Sequence, residues 1–235
     1  MQRENQRSQT PDTIGIERCV EVTADGSATL FIPAMNEHYH SVKGALTEAQ
    51  HIFINMGFQH SPVASPRILE IGFGTGLNAF LTLMAAEQSM RKTYYCGIEL
   101  HPLPWETIQQ LQYSTNPSLH SIHSAGWEEE VQITPHFALQ KIQADFASNS
   151  FSFNPLIYPP FDVVYFDAFA PEKQPEMWDT QLFERLYVSM NKGAILTTYC
   201  AKGILRRTLQ SVGFVVERLS GPPGGKREIL RASKP

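Results

Sequence analysis

The sequence holds only three cysteines in 235 residues, Cys19, Cys96 and Cys200, far apart and with no Cys-x-x-Cys. That spacing gives neither a disulfide framework nor a thiolate metal site, so the three read as small residues in or near a core. Long apolar runs are missing too. No stretch reaches the ~18 to 20 residues that cross a bilayer, and the polar start, Met1 to Asp12, lacks the apolar centre of a signal peptide. A cytoplasmic chain with no membrane partner is expected, its first twelve residues disordered. Charged side chains are sparse at 18%, against 42% hydrophobic, and this length supports one substantial core with appendages.

The net charge of −4 is unevenly spread. Between Asn191 and Pro235 nine basic residues face two acidic ones, Glu217 and Glu228, a local excess of seven that leaves −11 for residues 1–190. Such polarity suits a phosphate-rich partner on one face. A merely solvated basic surface is the plain alternative.

What the chain does have is a glycine turn. Arg67 to Gly76 is a short apolar run ending in Gly72, Gly74 and Gly76, and Leu77, Phe80, Leu81 and Met84 follow at helical spacing. Glycine permits positive φ and close approach of a ligand, and the N-H groups opening a helix point at whatever binds there. A strand, a glycine turn and a helix make a nucleotide-type cofactor site. Gly74, Gly76 and Ala79 also satisfy a loose dinucleotide pattern, so the turn alone leaves adenosylmethionine and NAD open.

Around it the pattern is α/β. Ile16 to Val22 and Thr29 to Ile32 form a hairpin through Ala24-Asp25-Gly26-Ser27, added N-terminally to the main sheet. A helical pattern from Leu46 to Met56 completes an extension over residues 13–61, and residues 62–235 make the main domain. His38 and His40 are two apart without a third ligand, and read as surface or substrate-side histidines; no metal is expected. Strands are predicted at Thr93 to Glu99, Phe137 to Gln143, Phe161 to Phe166, Ala194 to Thr198, Phe214 to Leu219 and Glu228 to Arg231. Helices are predicted at Trp105 to Tyr113, Thr180 to Met190 and Ile204 to Val212, with Asn191-Lys192-Gly193 as a stop signal. Ligands of open α/β sheets sit beyond the strands' carboxyl ends. Glu99 lies there for ribose hydroxyls, and Asp145-Phe146 for the amino group and ring of adenine.

The run from Asp167 to Trp178 decides the reading. With Asp167, Phe169, Pro171, Lys173, Pro175, Met177 and Trp178 in place, and Gln174 for the usual Asn, it resembles the methyltransferase part of the MnmC/MnmD family. Gly72 to Asn78 resembles that family's glycine segment. Tyr39, Ser41, Leu46, Glu48 and Phe53 resemble its N-terminal segment, and Gly203, Arg206-Arg207 and Gly225 to Glu228 its C-terminal pieces. The resemblance covers about Glu37 to Leu230 and implies a class I, Rossmann-like fold, a mostly parallel seven-stranded sheet with its last strand antiparallel. It also implies S-adenosylmethionine as cofactor and the amine of 5-aminomethyl-2-thiouridine, at the wobble position of a tRNA anticodon loop, as methyl acceptor. Some members carry a flavin-dependent oxidase domain; this chain resembles the standalone methyltransferase, with no flavin expected. Glu70, Gly72, Phe73, Gly74, Gly76, Asn78, Glu99, Asp145, Phe146 and Asp167 become the candidate cofactor residues. Asp167 is also the candidate base that takes the amine's proton, with a cofactor ligand or loop cap as its alternative. Phe169 is a candidate for stacking on the flipped uracil or lying near the sulfonium, or for the core. Lys173, grouped with Asp167 and Phe169 among the catalytic candidates, reads as a phosphate or loop contact in preference to a proton carrier, and Trp178 as a base-stacking platform or a packing anchor for the next helix. Lys202, Arg206, Arg207, Lys226 and Arg227 are the tRNA-binding candidates. Two other readings stay open: a methyltransferase or aminopropyltransferase for a small amine, and an RNA-binding module with a degenerate cofactor site.

Overall fold

The computed structural model describes residues 9–11, 16–148, 151, 153 and 158–235, with the side chains of 9–11 excepted. Strands β1 (Gln9–Pro11), β2 (Glu17–Val22), β3 (Ala28–Ile32) and β4 (Glu37–His38) form an antiparallel sheet of their own. The Asp25-Gly26 hairpin is present, with Cys19 opposite Phe31, but it does not extend the main sheet. Gln9–Pro11, expected to be without structure, pairs with β2.

Next comes α1 (Ala45–Ala49), which runs on as a π-helix over Gln50–Phe58. It buries Ile52, Phe53, Ile54 and Phe58, and at Gly57 an added Cβ would stand 2.9 Å from the Tyr165 ring. This helix packs into the same core as Ile68, Val163 and Tyr165 of the main sheet. The chain continues through β5 (Arg67–Ile71), α2 (Leu77–Ser89), β6 (Thr93–Glu99), α3 (Trp105–Ile108) and α4 (Pro117–Ser124). Then follow β7 (Glu130–Thr134), β8 (Phe137–Gln143), β9 (Phe161–Phe166), α5 (Thr180–Val188), β10 (Met190–Thr198), α6 (Gly203–Val212), β11 (Val215–Ser220) and β12 (Glu228–Ser233).

Eight strands build the main sheet in the order β11-β12-β10-β9-β5-β6-β8-β7. The five from β10 to β8 are parallel, and β12 lies antiparallel between β10 and β11. The eighth strand, β7, pairs antiparallel with β8 at the edge and was not expected. Every residue of β9 is buried, as a central strand covered on both faces requires. On α2, Leu77, Phe80 and Leu83 are buried whereas Met84 is 41% exposed, so the helix turns a slightly different face inward than its apolar spacing suggests. The expected stop at Asn191-Lys192-Gly193 lies inside β10, where the pairing with β9 shifts register between Met190 and Ile195. From β5 the chain winds outward through β6 and β8, then returns to β9 and winds the other way. The order therefore reverses between β5 and β9, and the crevice beyond their carboxyl ends is where an open α/β sheet places a ligand.

Candidate functional site

Two segments meet in that crevice: the glycine turn after β5 and the loop after β9. Gly72, Gly74 and Gly76 all have positive φ, at 89°, 49° and 68°. At Gly72 the need is double, because an added Cβ would stand 2.7 Å from the carbonyl oxygen of Asp167. The bare backbone lets the two strand ends close on each other, and the Asp167 N-H donates to the Ile71 carbonyl at 3.0 Å.

Glu99, at the end of β6, accepts from the Gly74 N-H at 2.8 Å and the His101 N-H at 2.9 Å. A carboxylate anchored to the turn in this way has a fixed orientation and lone pairs to spare. Phe73 is buried, its ring against Gly97, where an added Cβ would come within 2.3 Å of it. Gly72, Phe73, Gly74, Glu99, Asp145, Phe146 and Asp167 line one cavity, as do Tyr39 and His40.

Asn78 ties the site together. Its amide nitrogen donates to Glu70 Oε1 at 2.8 Å and to Asp167 Oδ2 at 2.9 Å. Glu70 is fully buried and lines neither cavity, so its expected cofactor contact is replaced by a supporting role beneath the turn. Burial pushes its carboxyl well above the usual range. An amide that donates to both carboxyls fixes the orientation of one against the other.

Asp167 sits on the wall shared with a second cavity, lined by Glu37, Glu48, Phe169, Tyr199 and Lys226. Burial raises its pKa to about 7; the nearby Glu48 adds to the rise, and the Asn78 hydrogen bond and Lys226 oppose it. Phe169 lines both cavities, half-buried, with its ring edge-on to Tyr39 at 5.3 Å between centroids. It is therefore a wall residue and not core. Trp178 donates from Nε1 to the Phe169 carbonyl at 2.8 Å and packs on Phe166, a packing anchor, one of its two expected roles. Lys173 is exposed, lines neither cavity and holds only a loop turn through its N-H to Ala170, which corrects its place among the catalytic candidates.

The five basic candidates divide. Lys202 precedes α6 and is paired with Glu172, while Arg207 and Arg227 are exposed and Arg206 is half-buried. Lys226 alone among them lines a cavity, its ammonium 3.6 Å from the centre of the Tyr199 ring.

Tyr199, to which the sequence reading gave no role, and His40, read as a surface or substrate-side histidine, complete the site. Tyr199, one residue beyond β10, donates its hydroxyl to the Ala168 carbonyl at 2.9 Å, and its position at a strand's carboxyl end was a usable signal. His38 bonds Glu21 at 3.0 Å, away from any metal set. His40 lines both cavities, and burial lowers its pKa to about 4, leaving it neutral. Among the described residues no group of three or more His, Cys, Asp or Glu is arranged to hold a metal ion, and no helix is long and apolar enough to cross a membrane.

The first cavity presents Glu99, Asp145 and Asp167 beside Arg18, a neutral His40 and the rings of Phe73 and Phe146. This donor set fits a ligand with ribose hydroxyls, an adenine and positive charge.

Comparison with known proteins gives the same outline. A model of the S-adenosyl-L-methionine-dependent methyltransferase family matches residues 125–235. A protein of Cupriavidus metallidurans named tRNA 5-methylaminomethyl-2-thiouridine biosynthesis bifunctional protein MnmC is 29% identical over 234 residues, covering 90% of this chain and 33% of its own length. The protein of that name from Cupriavidus necator is 31% identical, covering 86% and 32%. The chain thus spans about a third of the length of these curated relatives. Among solved structures, MNMC2 from Aquifex aeolicus superposes with a TM-score of 0.69 at 22% identity, over 99% of this chain and 73% of that one. Spermidine synthase from Thermotoga maritima gives 0.62 at 14%, over 97% and 72%. At these identities the structural likeness establishes the shared fold, Rossmann-like with a class I order.

Proposed function

We propose that this chain is an S-adenosyl-L-methionine-dependent methyltransferase that methylates the amine of a 5-aminomethyl-uridine, 2-thiolated or not, at the tRNA wobble position; the family model over residues 125–235 and the relatives' printed names support the reading. The observation that carries the reading is the place of Asp167, a carboxylate on the wall between a cofactor cavity and a second cavity. S-adenosylmethionine, when bound, supplies an electrophilic methyl group on a sulfonium. Glu99 would hold the ribose, Asp145 and Phe146 the adenine, and the turn from Gly72 to Gly76 would admit the ligand's backbone-close edge.

The chain's own residues have two tasks. An alkyl amine is mostly protonated at neutral pH, with a lysine-like reference near ~10, so a proton must leave before nitrogen can attack. Asp167, with a pKa of about 7, takes that proton far better than a carboxylate of ordinary acidity would. Asn78 holds the Oδ2 side of the carboxylate, which leaves Oδ1 for the amine. Positioning is the second task. Phe169 and Tyr39 give the shared wall an aromatic surface on which a splayed base can stack. Alignment of this kind lowers a displacement barrier by ~7 to 11 kcal/mol in favourable cases. The exposed Arg207 and Arg227, with Arg206, would supply phosphate contacts for the RNA.

Asp167→Ala tests the assignment. Calorimetry should find adenosylmethionine affinity within a few-fold of wild type while methyl transfer falls ~100-fold or more. Near-normal turnover would remove Asp167 as the base.

One observation favours a second reading, a transferase for a free small amine. The second cavity presents Glu37, Glu48 and Asp167 against a single lysine, an acidic lining that a polycationic amine would also fit. Transfer to putrescine or spermidine in place of tRNA would select it.

A further inference from the structure

Glu48 has a role that the methylation reading leaves open. It is the fourth helical residue after Gly44, 9% exposed, and lines the second cavity together with Asp167. Its Oε2 accepts from the Ser41 N-H at 2.9 Å. Oε1 is buried and has no hydrogen-bond partner; the nearest cation, Lys226 Nζ, stands 3.8 Å away and is shared with the face of Tyr199. A buried carboxylate oxygen left with a distant ion pair alone is costly to keep, and such groups mark places where a ligand completes the bonding. The charged and titratable groups facing this pocket are Glu37 and His38 from β4, with His38 bonded to Glu21, His40 just beyond that strand, Asp167 with Glu70 behind it from the main sheet, and Lys226 beside Tyr199 from the loop before β12. Lys226 is the one lysine or arginine among them, and His40 stays neutral.

We propose that Glu48 is the specificity residue for the acceptor: its Oε1 receives the substrate's ammonium group, taking the place of Lys226, and delivers that group to Asp167. This rests on the methylation reading and extends it. The ammonium arrives charged and is held by Glu48. One N-H proton passes to Asp167, the freed lone pair forms the new N–C bond as the S–C bond breaks, and the bonding electrons leave on sulfur as a neutral thioether. Two acids divide the work: one binds the cation and the other takes its proton.

The test compares binding of two tRNAs, one with the wobble aminomethyl group and one without it, to wild type, Glu48→Gln and Lys226→Met. A glutamine keeps the acceptor for the Ser41 N-H, and adenosylmethionine affinity by calorimetry reports that each variant is folded. Wild type should prefer the aminomethylated tRNA about tenfold. Glu48→Gln should lose that preference while binding the other tRNA unchanged, and Lys226→Met should increase it, because a competing cation is gone. The pH profile of methyl transfer supplies a second readout that a merely structural role would not move. Its acidic limb should shift to lower pH in Glu48→Gln, where a neighbouring negative charge is lost, and to higher pH in Lys226→Met. A preference kept within twofold in Glu48→Gln, no preference in wild type, or limbs that do not move would overturn the inference. Transfer of methyl to the aminomethyl group alongside any of these results would leave the proposed function standing. Transfer to an acceptor that is not an amine would remove both.

Discussion

Replacing Asp167 by Asn should make the protein inactive and more stable. Asp167 is expected to titrate near 7 in the folded chain against 3.8 for its ordinary value, mainly because burial disfavours the charge. Between those two pH values the native state holds a proton that the unfolded chain has released, so stability falls as pH rises from about 4 to about 7 and is level above. Three pKa units at ~1.36 kcal/mol each set an upper bound of about 4 kcal/mol. The side chain borders two cavities open to solvent, and halving that figure for screening leaves about 2 kcal/mol. A carboxamide does not titrate, and its oxygen still accepts the Asn78 hydrogen bond, so Asp167→Asn escapes the cost. For a chain of this size the gain corresponds to ~4 to 8 °C in Tm. Scanning calorimetry on both proteins from pH 4 to 8.5 should find equal Tm values at the acid end and a gap that opens up to pH 7, then holds. A gap independent of pH, or a variant less stable than wild type at pH 8, would refute the placement of a strained carboxylate at this wall. Loss of activity coupled to a gain in stability is the signature of a residue kept for function.

Other outcomes follow from the same geometry. Asn78→Leu removes the donor shared by Glu70 and Asp167 and should cost ~2 to 4 kcal/mol in urea unfolding, because the Glu70 carboxyl stays buried without its partner. Glu99→Gln, which keeps one acceptor oxygen where two backbone N-H groups are now served, should weaken adenosylmethionine binding about tenfold by calorimetry. Arg206→Ala with Arg207→Ala should leave that affinity unchanged and weaken tRNA binding, lowering the slope of log affinity against log salt by about 1.4 for two single-strand phosphate contacts.

The parts of the molecule that were legible in the sequence are those with strong local chemistry. β6, β8 and β9 fall within the predicted bounds because their apolar runs end at polar or turn residues. The glycine turn was legible because only positive φ and a close approach explain three glycines two apart. The three cysteines are buried, as their spacing suggested. What escaped depends on long-range packing. α4 carries its own signal in Asn116, whose side chain accepts from the Ser118 N-H at 2.9 Å ahead of Pro117, but it buries only Leu119 and Ile122 and shows too little periodicity to stand out. β7 alternates weakly because it is an edge strand with neither face fully covered. The hairpin's separation into its own sheet is decided by partners, β1 and β4, that are three and two residues long. In the site, Asp167 and the cofactor acids were named from strand ends. Glu48 and Tyr199 become functional candidates only when the fold brings residues 37–48, 167–170, 199 and 226 to one cavity.

The central claim is that this chain methylates a wobble-uridine amine. Its most direct test is incubation with adenosylmethionine labelled in the methyl group and tRNA from a strain lacking this protein, followed by digestion and nucleoside analysis. The account predicts label in one nucleoside, the 5-methylaminomethyl form of the wobble uridine, incorporated ~100-fold or more slowly when Asp167 is Ala. Label in another nucleoside, or in a free amine with the tRNA left unlabelled, would contradict it.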